Sequence, residues 1–297
     1  MNLSRTATRL TWAASHPEFR AHPFAFSMRI LLWEWYRVKG KPVSMPFFGF
    51  RIKARPSDGM GRLIWYFRDR ADTLFSFMKN YLRPGMTFVD VGANIGSHTI
   101  YGSHLVGGHG KVVSFEADPS TFALLKANTN LNHLANVLLL NHCVSDKQGT
   151  VSFNIHPDSA RNSLIRNGSS QVCLSASTLD GLLPAGLRID LLKIDVEGAE
   201  SLVLEGAKRI FENRPPRVVV VEATSCAAQI RDFLVSYGYR LYRYDHGRLA
   251  FCEIEQPIFD TYALRDCAHR ELSHLGFFVT KKDQAGKDIA MPGRRAG

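Results

Sequence analysis

A change of pattern at Met86 constrains the fold of this chain most, because from there short apolar runs alternate with segments of helical periodicity. The runs lie at 87–91, 111–116, 136–140, 189–195 and 217–222, and helical segments lie at about 96–106, 119–132, 198–212 and 226–237. Uninterrupted apolar runs are typical of strands covered on both faces, and their alternation with helices indicates a parallel sheet with crossover helices. The sequence therefore predicts an α/β fold with a doubly wound, mostly parallel, seven-stranded, Rossmann-like sheet that ends in a hairpin-like edge.

The N-terminal region differs from this pattern, since it is rich in aromatic and basic residues. The stretch "FSMRILLWEWYRV" (26–38) has helical spacing, "FFGFRIKA" (47–54) alternates like a strand, and "ADTLFSFMKNYL" (71–82) has the pattern of an amphipathic helix. We therefore expect a helical N-terminal extension (1–60), one α/β domain (61–280) and a disordered basic tail (281–297).

Positive charge is concentrated at the two ends. Residues 1–60 hold ten Lys/Arg against three Asp/Glu, residues 281–297 hold five against two, and the rest is balanced at 22 against 22. Basic ends favour an anionic neighbour, either a membrane surface or a polyanionic substrate, although solvated ends explain the charge equally well. The N-terminal segment either lies on a membrane, caps an acceptor pocket or packs as a plain helical extension.

No apolar run approaches the roughly 18 residues that cross a bilayer, and the N-terminus lacks the pattern of a secretory signal. The five cysteines are scattered without a C-x-x-C pair, so neither a disulfide framework nor a zinc site is indicated. We expect a cytoplasmic protein, with the N-terminal segment in peripheral contact with the inner membrane face.

The segment "FVDVGANIGSHT" (88–99) is a strand-to-helix turn, and such turns face the ligand crevice of a doubly wound sheet. Gly92 and Gly96 permit unusual dihedrals and close approach of a ligand, while the next helix offers amides to an anion. The spacing departs from the G-x-G-x-x-G of dinucleotide folds. Asp90 would repel a pyrophosphate, but it can accept hydrogen bonds from an ammonium group such as that of S-adenosylmethionine (SAM).

The second acidic position is Glu116 in "VVSFEADP", at the end of the next strand, where a carboxylate can accept both ribose hydroxyls. Ribose is common to many nucleotides, so Glu116 alone does not separate SAM from NAD. Together with Asp90 it favours SAM.

The motifs "FVDVGANIGSHT", "VVSFEADP", "NHCVSD", "STLD" and "LLKIDVEGAE" occur in this order, and with them residues 60–245 resemble the FkbM family of SAM-dependent methyltransferases. The resemblance implies a class I methyltransferase fold and O-methylation of a sugar, glycolipid or natural-product hydroxyl. It also implies a small-molecule or glycan acceptor, and it implies that the cofactor is held by Asp90, Gly92, Asn94, Gly96, Glu116 and residues around Val144. Asn94 could instead cap the following helix. His98 could face the substrate, although a histidine just inside a helix is more often packed or solvent-facing.

The catalytic candidates besides His98 are acids at the ends of the fourth and fifth strands: Asp195 and Glu197 in "KIDVEGAE", and Glu222. Asp195 would orient the acceptor hydroxyl and take its proton, with Glu197 in support. Glu197 could equally be a charge that favours a helix N-terminus. No metal is expected, since two acids without a third ligand make a cation site speculative.

Three other functions stay open. Methylation of nucleic acid or another N-nucleophile is disfavoured, because "DVEG" stands where an Asn/Asp-Pro-Pro-aromatic motif would be expected, so no nucleic-acid partner is predicted. The glycine spacing and Asp90 disfavour an oxidoreductase. A catalytically idle nucleotide-binding module would not need the intact acids. The oligomeric state is not indicated.

Overall fold

The computed structural model describes residues 17–68, 72–155, 170–223, 225–265, 268, 272–282 and 288–290. The chain divides into two compact units, residues 1–71 and residues 72–297. The expected boundary at residue 60 therefore lies inside the first unit.

The first unit contains two helices, a hairpin and a third helix. They are α1 (Pro17–Ala21), α2 (Pro23–Lys39), β1 (Val43–Phe47), β2 (Phe50–Ala54) and α3 (Gly59–Phe67). Phe26 and Trp33 of α2 are fully buried, and their rings lie 5.8 Å from Tyr66 and 6.1 Å from Trp65 on α3. The expectation of one strand over 47–54 was wrong, because the chain reverses at Phe48 and Gly49, both with positive φ.

The second unit alternates strands and helices, as the pattern after Met86 predicts. It contains α4 (Thr73–Tyr81), β3 (Thr87–Val91), α5 (Ser97–Val106), β4 (Lys111–Phe115), α6 (Pro119–Leu131), β5 (Val137–Leu140), β6 (Cys143–Val144), β7 (Gly149–Ile155), β8 (Ser170–Ser177), α7 (Leu179–Leu182), β9 (Leu191–Ile194), α8 (Glu200–Glu205), α9 (Lys208–Asn213), β10 (Val218–Val221), α10 (Ala227–Ser236), β11 (Tyr239–Asp245), β12 (Ala250–Glu253), β13 (Thr261–Arg265), β14 (Phe278–Lys282) and β15 (Asp288–Ala290).

The main sheet has the order β15-β14-β12-β11-β13-β10-β9-β3-β4-β5. Strands β5, β4, β3, β9 and β10 are parallel, and β13 pairs antiparallel with both β10 and β11. The order reverses at β3, so the sheet is doubly wound, and strands β13, β12 and β14 on one side of it run antiparallel to the main set, which confirms the predicted class I methyltransferase fold. The described sheet has ten strands rather than seven, because β12, β14 and β15 extend the edge.

The helix expected over 198–212 is two helices, α8 and α9. Gly206 lies between them, and a Cβ there would come within 2.0 Å of the Ser145 carbonyl oxygen, so only glycine fits. The Asp180 carboxylate then accepts hydrogen bonds from the Arg209 and Ile210 amides, at 2.7 and 3.0 Å, and thereby caps α9.

The hydrophobic core of the second unit lies on the sheet and includes Val89, Phe115, Leu192 and Val219. No helix among the described residues has both the length and the apolar content that would let it cross a membrane. The predicted disordered tail, 281–297, differs from the structure where residues 281–282 belong to β14 and residues 288–290 form β15. The rest of that tail lies outside the described residues.

Candidate active site

The candidate site lies where the parallel strands of the main sheet end. Ile194 of β9 is the register partner of both Val91 and Val221, and Val91 also pairs with Phe115. The residues that follow these strand ends therefore meet at one edge: Gly92, Glu116, Asp195 and Glu222. Since β13 is antiparallel and its Thr261 pairs with Val221, Asp260 reaches the same edge from the opposite direction.

The turn after β3 has the left-handed dihedrals that its sequence predicts, with φ of 82° at Gly92, 51° at Asn94 and 93° at Gly96. A Cβ at Gly92 would lie 1.8 Å from the Asp195 carbonyl oxygen, and one at Gly96 would lie 2.6 Å from Leu125 Cδ1. A side chain at either position would thus meet the protein itself, and close approach of a ligand to this turn stays a prediction. Gly92 lets the turn touch the end of β9.

Asn94 connects the turn to the neighbouring strand. Its amide donates to Glu116 Oε2 at 2.8 Å, and its side-chain oxygen accepts from the Ile95 amide at 2.8 Å. The side chain thus provides a hydrogen-bond acceptor for a backbone N–H group just before α5, which begins after Gly96.

Asp90 is completely buried (0% exposed), and its Oδ2 accepts a 2.7 Å hydrogen bond from the Thr99 hydroxyl. Its Oδ1 accepts no hydrogen bond within the part of the chain that the structure describes, although Lys193 Nζ lies 3.5 Å away. Asp90 therefore keeps an acceptor atom at the edge of the turn 92–96, which we call the cofactor turn.

Lys193 is a functional position that sequence reasoning missed. Its ammonium lies 3.0 Å from Asp195 Oδ2, 3.5 Å from Asp90 Oδ1 and 3.3 Å from the Gly92 carbonyl oxygen. Burial works to lower the Lys193 pKa, but Asp195 and Asp90 outweigh it and raise the pKa above its ordinary value. The available signal was a single lysine inside the apolar strand "LLKI", which needs a buried counter-charge.

Glu116 bridges the cofactor turn and the start of α6. Its Oε2 accepts from the Asn94 amide and its Oε1 from the Asp118 amide at 3.0 Å. Burial raises the Glu116 pKa to about 7 despite these two hydrogen bonds. A carboxylate has about four acceptor positions, so the ionised form can still accept two hydroxyl groups.

Val144, expected beside the adenine, is 4% exposed and belongs to the same buried cluster as Phe115. Its side chain is therefore core. A contact between this segment and a nucleobase stays a prediction.

The three catalytic acids lie close together. Glu222 and Asp195 share a hydrogen bond, and burial together with the Asp195 and Glu197 carboxylates raises the pKa of Glu222. Burial alone would raise the Asp195 pKa as well, but the Lys193 ammonium and the Glu222 hydrogen bond lower it. Burial and the neighbouring carboxylates thus favour the protonated form of Glu222, and Lys193 favours the ionised form of Asp195, so the two groups titrate together as a pair.

Asp195, Glu197 and Glu222 each offer an oxygen within 4.8 Å of the others, a separation at which a cation could be bound. We expected no metal because a third ligand was missing, and the structure supplies Glu197 as that third carboxylate.

The loop between β9 and α8 is backbone-strained. Glu197 has a φ of 54°, which non-glycine residues rarely adopt, and Gly198 follows with 107°. Glu200 is fully buried, and its Oε1 accepts from the Gly198 amide at 2.8 Å and from the Val196 amide at 3.3 Å. Glu200 holds the loop that presents Glu197.

His98 does not face open solvent, since it is 4% exposed and its ring centre lies 4.6 Å from that of Phe75. Its Nε2 lies 3.0 Å from Asp72 Oδ2. Of the alternatives for His98, the packed position is the one that the structure shows, and a role toward the acceptor stays a prediction. Burial raises the pKa of the neighbouring Asp260 to about 6, with Asp72 adding to the effect, and Thr73 donates a 3.3 Å hydrogen bond to Asp260.

The sequence matches a known family. The model of the family described as "Methyltransferase FkbM domain" matches residues 90–241, just over half of the chain. The 31-O-demethyl-FK506 methyltransferase FkbM of Streptomyces tacrolimicus is 29% identical over 212 residues, which cover 59% of this chain and 80% of that protein.

Two solved structures are also similar in fold. A precorrin-6y C5,15-methyltransferase from Geobacter metallireducens GS-15 is 16% identical with a TM-score of 0.40, covering 65% of this chain and 88% of that chain. A SAM-dependent O-methyltransferase from Thermotoga maritima is 12% identical with a TM-score of 0.39, covering 76% and 77%. Since the family model spans the turn, the acidic strand ends and the sheet between them, the chain belongs to the FkbM methyltransferase family and is a SAM-dependent methyltransferase.

Proposed function

We propose that the protein transfers the methyl group of SAM to a hydroxyl oxygen on a sugar, glycolipid or natural product. The observation that carries this proposal is the cluster of Asp195, Glu197 and Glu222 at the carboxyl edge of the sheet, where one oxygen of each carboxyl group lies within 4.8 Å of the others and Lys193 Nζ lies 3.0 Å from Asp195 Oδ2. The name of the Streptomyces relative, which describes a 31-O-demethyl substrate, supports transfer to oxygen.

The cofactor side of the site fits SAM. The buried Asp90 Oδ1 accepts no hydrogen bond among the described residues and lies 3.5 Å from Lys193 Nζ, so it keeps acceptor capacity for an ammonium group. Glu116 has remaining acceptor capacity for ribose hydroxyls. Two acids would repel the pyrophosphate of a dinucleotide, whereas they attract a cationic nucleoside. Bound SAM supplies a methyl group on a positively charged sulfur.

The acceptor side orients a hydroxyl group and removes its proton. Asp195 would accept the hydrogen bond of the acceptor hydroxyl and take its proton as the oxygen gains the methyl group and the bond from that methyl carbon to sulfur breaks. Because its pKa is lowered, Asp195 is a weak base toward an alcohol, and most of the rate has to come from placement, for which effective molarities of roughly 10⁵ to 10⁸ M are attainable. Lys193 fixes the carboxylate by its 3.0 Å contact.

Glu222 acts through Asp195 in this proposal. Its proton lies between the two carboxyl groups, so it holds Asp195 in a fixed orientation without a second negative charge. Glu197 supports the acceptor side from the strained loop. His98, paired with Asp72 and packed on Phe75, has a structural role.

The test separates chemistry from cofactor binding. The purified protein is incubated with methyl-labelled SAM and extracts of its source cells, and products heavier by one methyl group are identified by mass spectrometry. With the acceptor in hand, Asp195→Asn should lower kcat by roughly 10² to 10⁴-fold, the usual contribution of a positioned acid–base group. Calorimetry should show unchanged SAM affinity, and the exposed Asp232→Asn is the matched control. Full turnover in Asp195→Asn, or a product methylated on nitrogen, would refute the proposal.

A further inference from the structure

Helix α2 has two opposite apolar faces, and only one of them is buried within its own unit. Phe26 and Trp33, both 0% exposed, form the buried face. Six large apolar side chains on the other side are between 41% and 82% exposed: Phe24, Met28, Leu31, Leu32, Trp35 and Val38. At about 100° per residue these six lie within a sector of roughly 120° that points away from Phe26 and Trp33. We call them the exposed stripe.

An apolar stripe of this size on a folded unit calls for a partner. Single exposed apolar residues are ordinary, but contiguous patches mark contacts with proteins, ligands or lipids. A helix that is apolar on both sides is expected to be covered on both sides. The exposed stripe therefore indicates a surface that a partner covers.

The charge around the stripe identifies the chemistry of this partner. Arg20, Lys39 and Lys41 are exposed, and Lys39 Nζ lies 5.9 Å from the ring centre of Trp35. Residues 1–60 carry ten Lys/Arg against three Asp/Glu, an excess of seven positive charges. Basic side chains beside a tryptophan and aliphatic residues are the pattern of helices that lie in the interface of anionic membranes.

We infer that the exposed stripe of α2 lies on an anionic lipid bilayer and holds the protein at the membrane surface. The helix has 17 residues and none of the described helices can cross a membrane, so α2 would lie parallel to the surface. A second copy is a poorer partner for this face, because pairing would bring two segments with an excess of seven positive charges each together. This inference does not depend on the acceptor.

The first experiment uses the full chain and lipid vesicles. Wild-type protein is floated with vesicles of phosphatidylcholine and phosphatidylserine, and with vesicles of phosphatidylcholine alone. We expect binding to the anionic vesicles, at least roughly tenfold weaker binding to the neutral ones, and weakening by high salt. Tryptophan emission should shift to shorter wavelength on binding, since Trp35 leaves water.

The variant that tests the stripe combines Leu31→Gln, Trp35→Gln and Val38→Gln, three side chains that are at least 54% exposed and so unnecessary for folding. It should bind anionic vesicles roughly 100-fold more weakly, because three apolar side chains no longer leave water. The matched control is Leu138→Gln with Val235→Gln, which removes side chains 55% and 53% exposed on the second unit. The control should bind like wild type, and circular dichroism should show unchanged folding in both.

Three results would overturn the inference. They are failure of the wild-type chain to bind anionic vesicles at low salt, retained binding by the triple variant, and a wild-type dimer in light scattering that the triple variant converts to monomer. The last result would assign the stripe to self-association.

Discussion

Glu116 makes SAM affinity dependent on pH in a direction that can be calculated. Its pKa in the folded chain is raised from 4.5 to about 7, chiefly by burial, with Asp118 and Asp90 adding to the effect. The folded state therefore holds this proton more tightly than the unfolded chain does. The stabilising contribution is complete below pH 4.5 and is lost as the pH rises through about 7.

Cofactor binding should have the opposite pH dependence, because ribose hydroxyls donate to the ionised carboxylate. With a pKa of about 7, roughly 9% of Glu116 is ionised at pH 6 and about 91% at pH 8. SAM should therefore bind about tenfold more tightly at pH 8 than at pH 6, and binding at pH 6 should release about 0.9 of a proton. Isothermal titration calorimetry in two buffers of different ionisation enthalpy measures both quantities.

The variant Glu116→Gln should remove this dependence. At pH 8 it should bind SAM roughly 10- to 100-fold more weakly than wild type, the usual effect of losing hydrogen bonds to a charged group. The SAM affinity of the variant should be the same at pH 6 as at pH 8. The control Glu205→Gln removes an exposed carboxylate and should keep the wild-type profile. The reasoning is refuted if Glu116→Gln keeps the tenfold change, or if wild-type affinity rises as the pH falls.

Three further changes have defined outcomes. Lys193→Met should lower the free energy of unfolding by about 3 to 5 kcal/mol in urea denaturation, because Asp90 and Asp195 lose their buried counter-charge; a loss below about 1 kcal/mol would contradict this. Glu197→Gly should raise the unfolding free energy by roughly 0.5 to 1 kcal/mol, since glycine adopts a φ of 54° without strain, and a lower melting temperature would exclude that account. Dialysis against EDTA should leave kcat unchanged, since the Lys193 ammonium and the shared proton already offset two of the three negative charges of Asp195, Glu197 and Glu222, and restoration of lost activity by Mg²⁺ would show a metal requirement.

The alternation of strands and helices in the second unit was predictable because the parallel strands are short, mostly apolar runs and because some of the helices that follow begin with a capping signal. Asp118 illustrates this, since its side chain accepts from the Ser120 amide at 3.1 Å, as a capping residue before Pro119 should. The break between α8 and α9 was not predictable, because it depends on Gly206 meeting the Ser145 carbonyl and on a cap supplied by the distant Asp180. Such tertiary contacts leave no periodic pattern in the nearby sequence from which they could be predicted.

The positions of the site acids could be predicted from the strand ends, but the shifts of their pKa values could not. The Glu222 pKa is raised chiefly by burial and by Asp195, whereas the Asp195 pKa is lowered chiefly by Lys193, whose ammonium reaches Asp90, Asp195 and the Gly92 carbonyl. The sequence places Lys193 and Asp195 two residues apart on one face of β9, but it does not show that Asp90 lies opposite. The sheet register between β3 and β9, which pairs Asp90 with Lys193, supplies this information.

The same register connects cofactor binding with acceptor chemistry. Gly92 allows the cofactor turn to rest on the Asp195 backbone, and the Lys193 ammonium joins the Gly92 carbonyl to the Asp90 and Asp195 carboxylates. A change at Gly92 or Lys193 must therefore move both the SAM-binding turn and the carboxylate that orients the acceptor. Glu116 and Glu222 lie on either side of this connection. Glu116 follows β4, which pairs with β3, and Glu222 follows β10, which pairs with β9. Changes at Glu116 should thus act on SAM affinity, and changes at Glu222 should act on turnover. These two positions therefore separate cofactor binding from chemistry, whereas changes at Gly92 or Lys193 affect both.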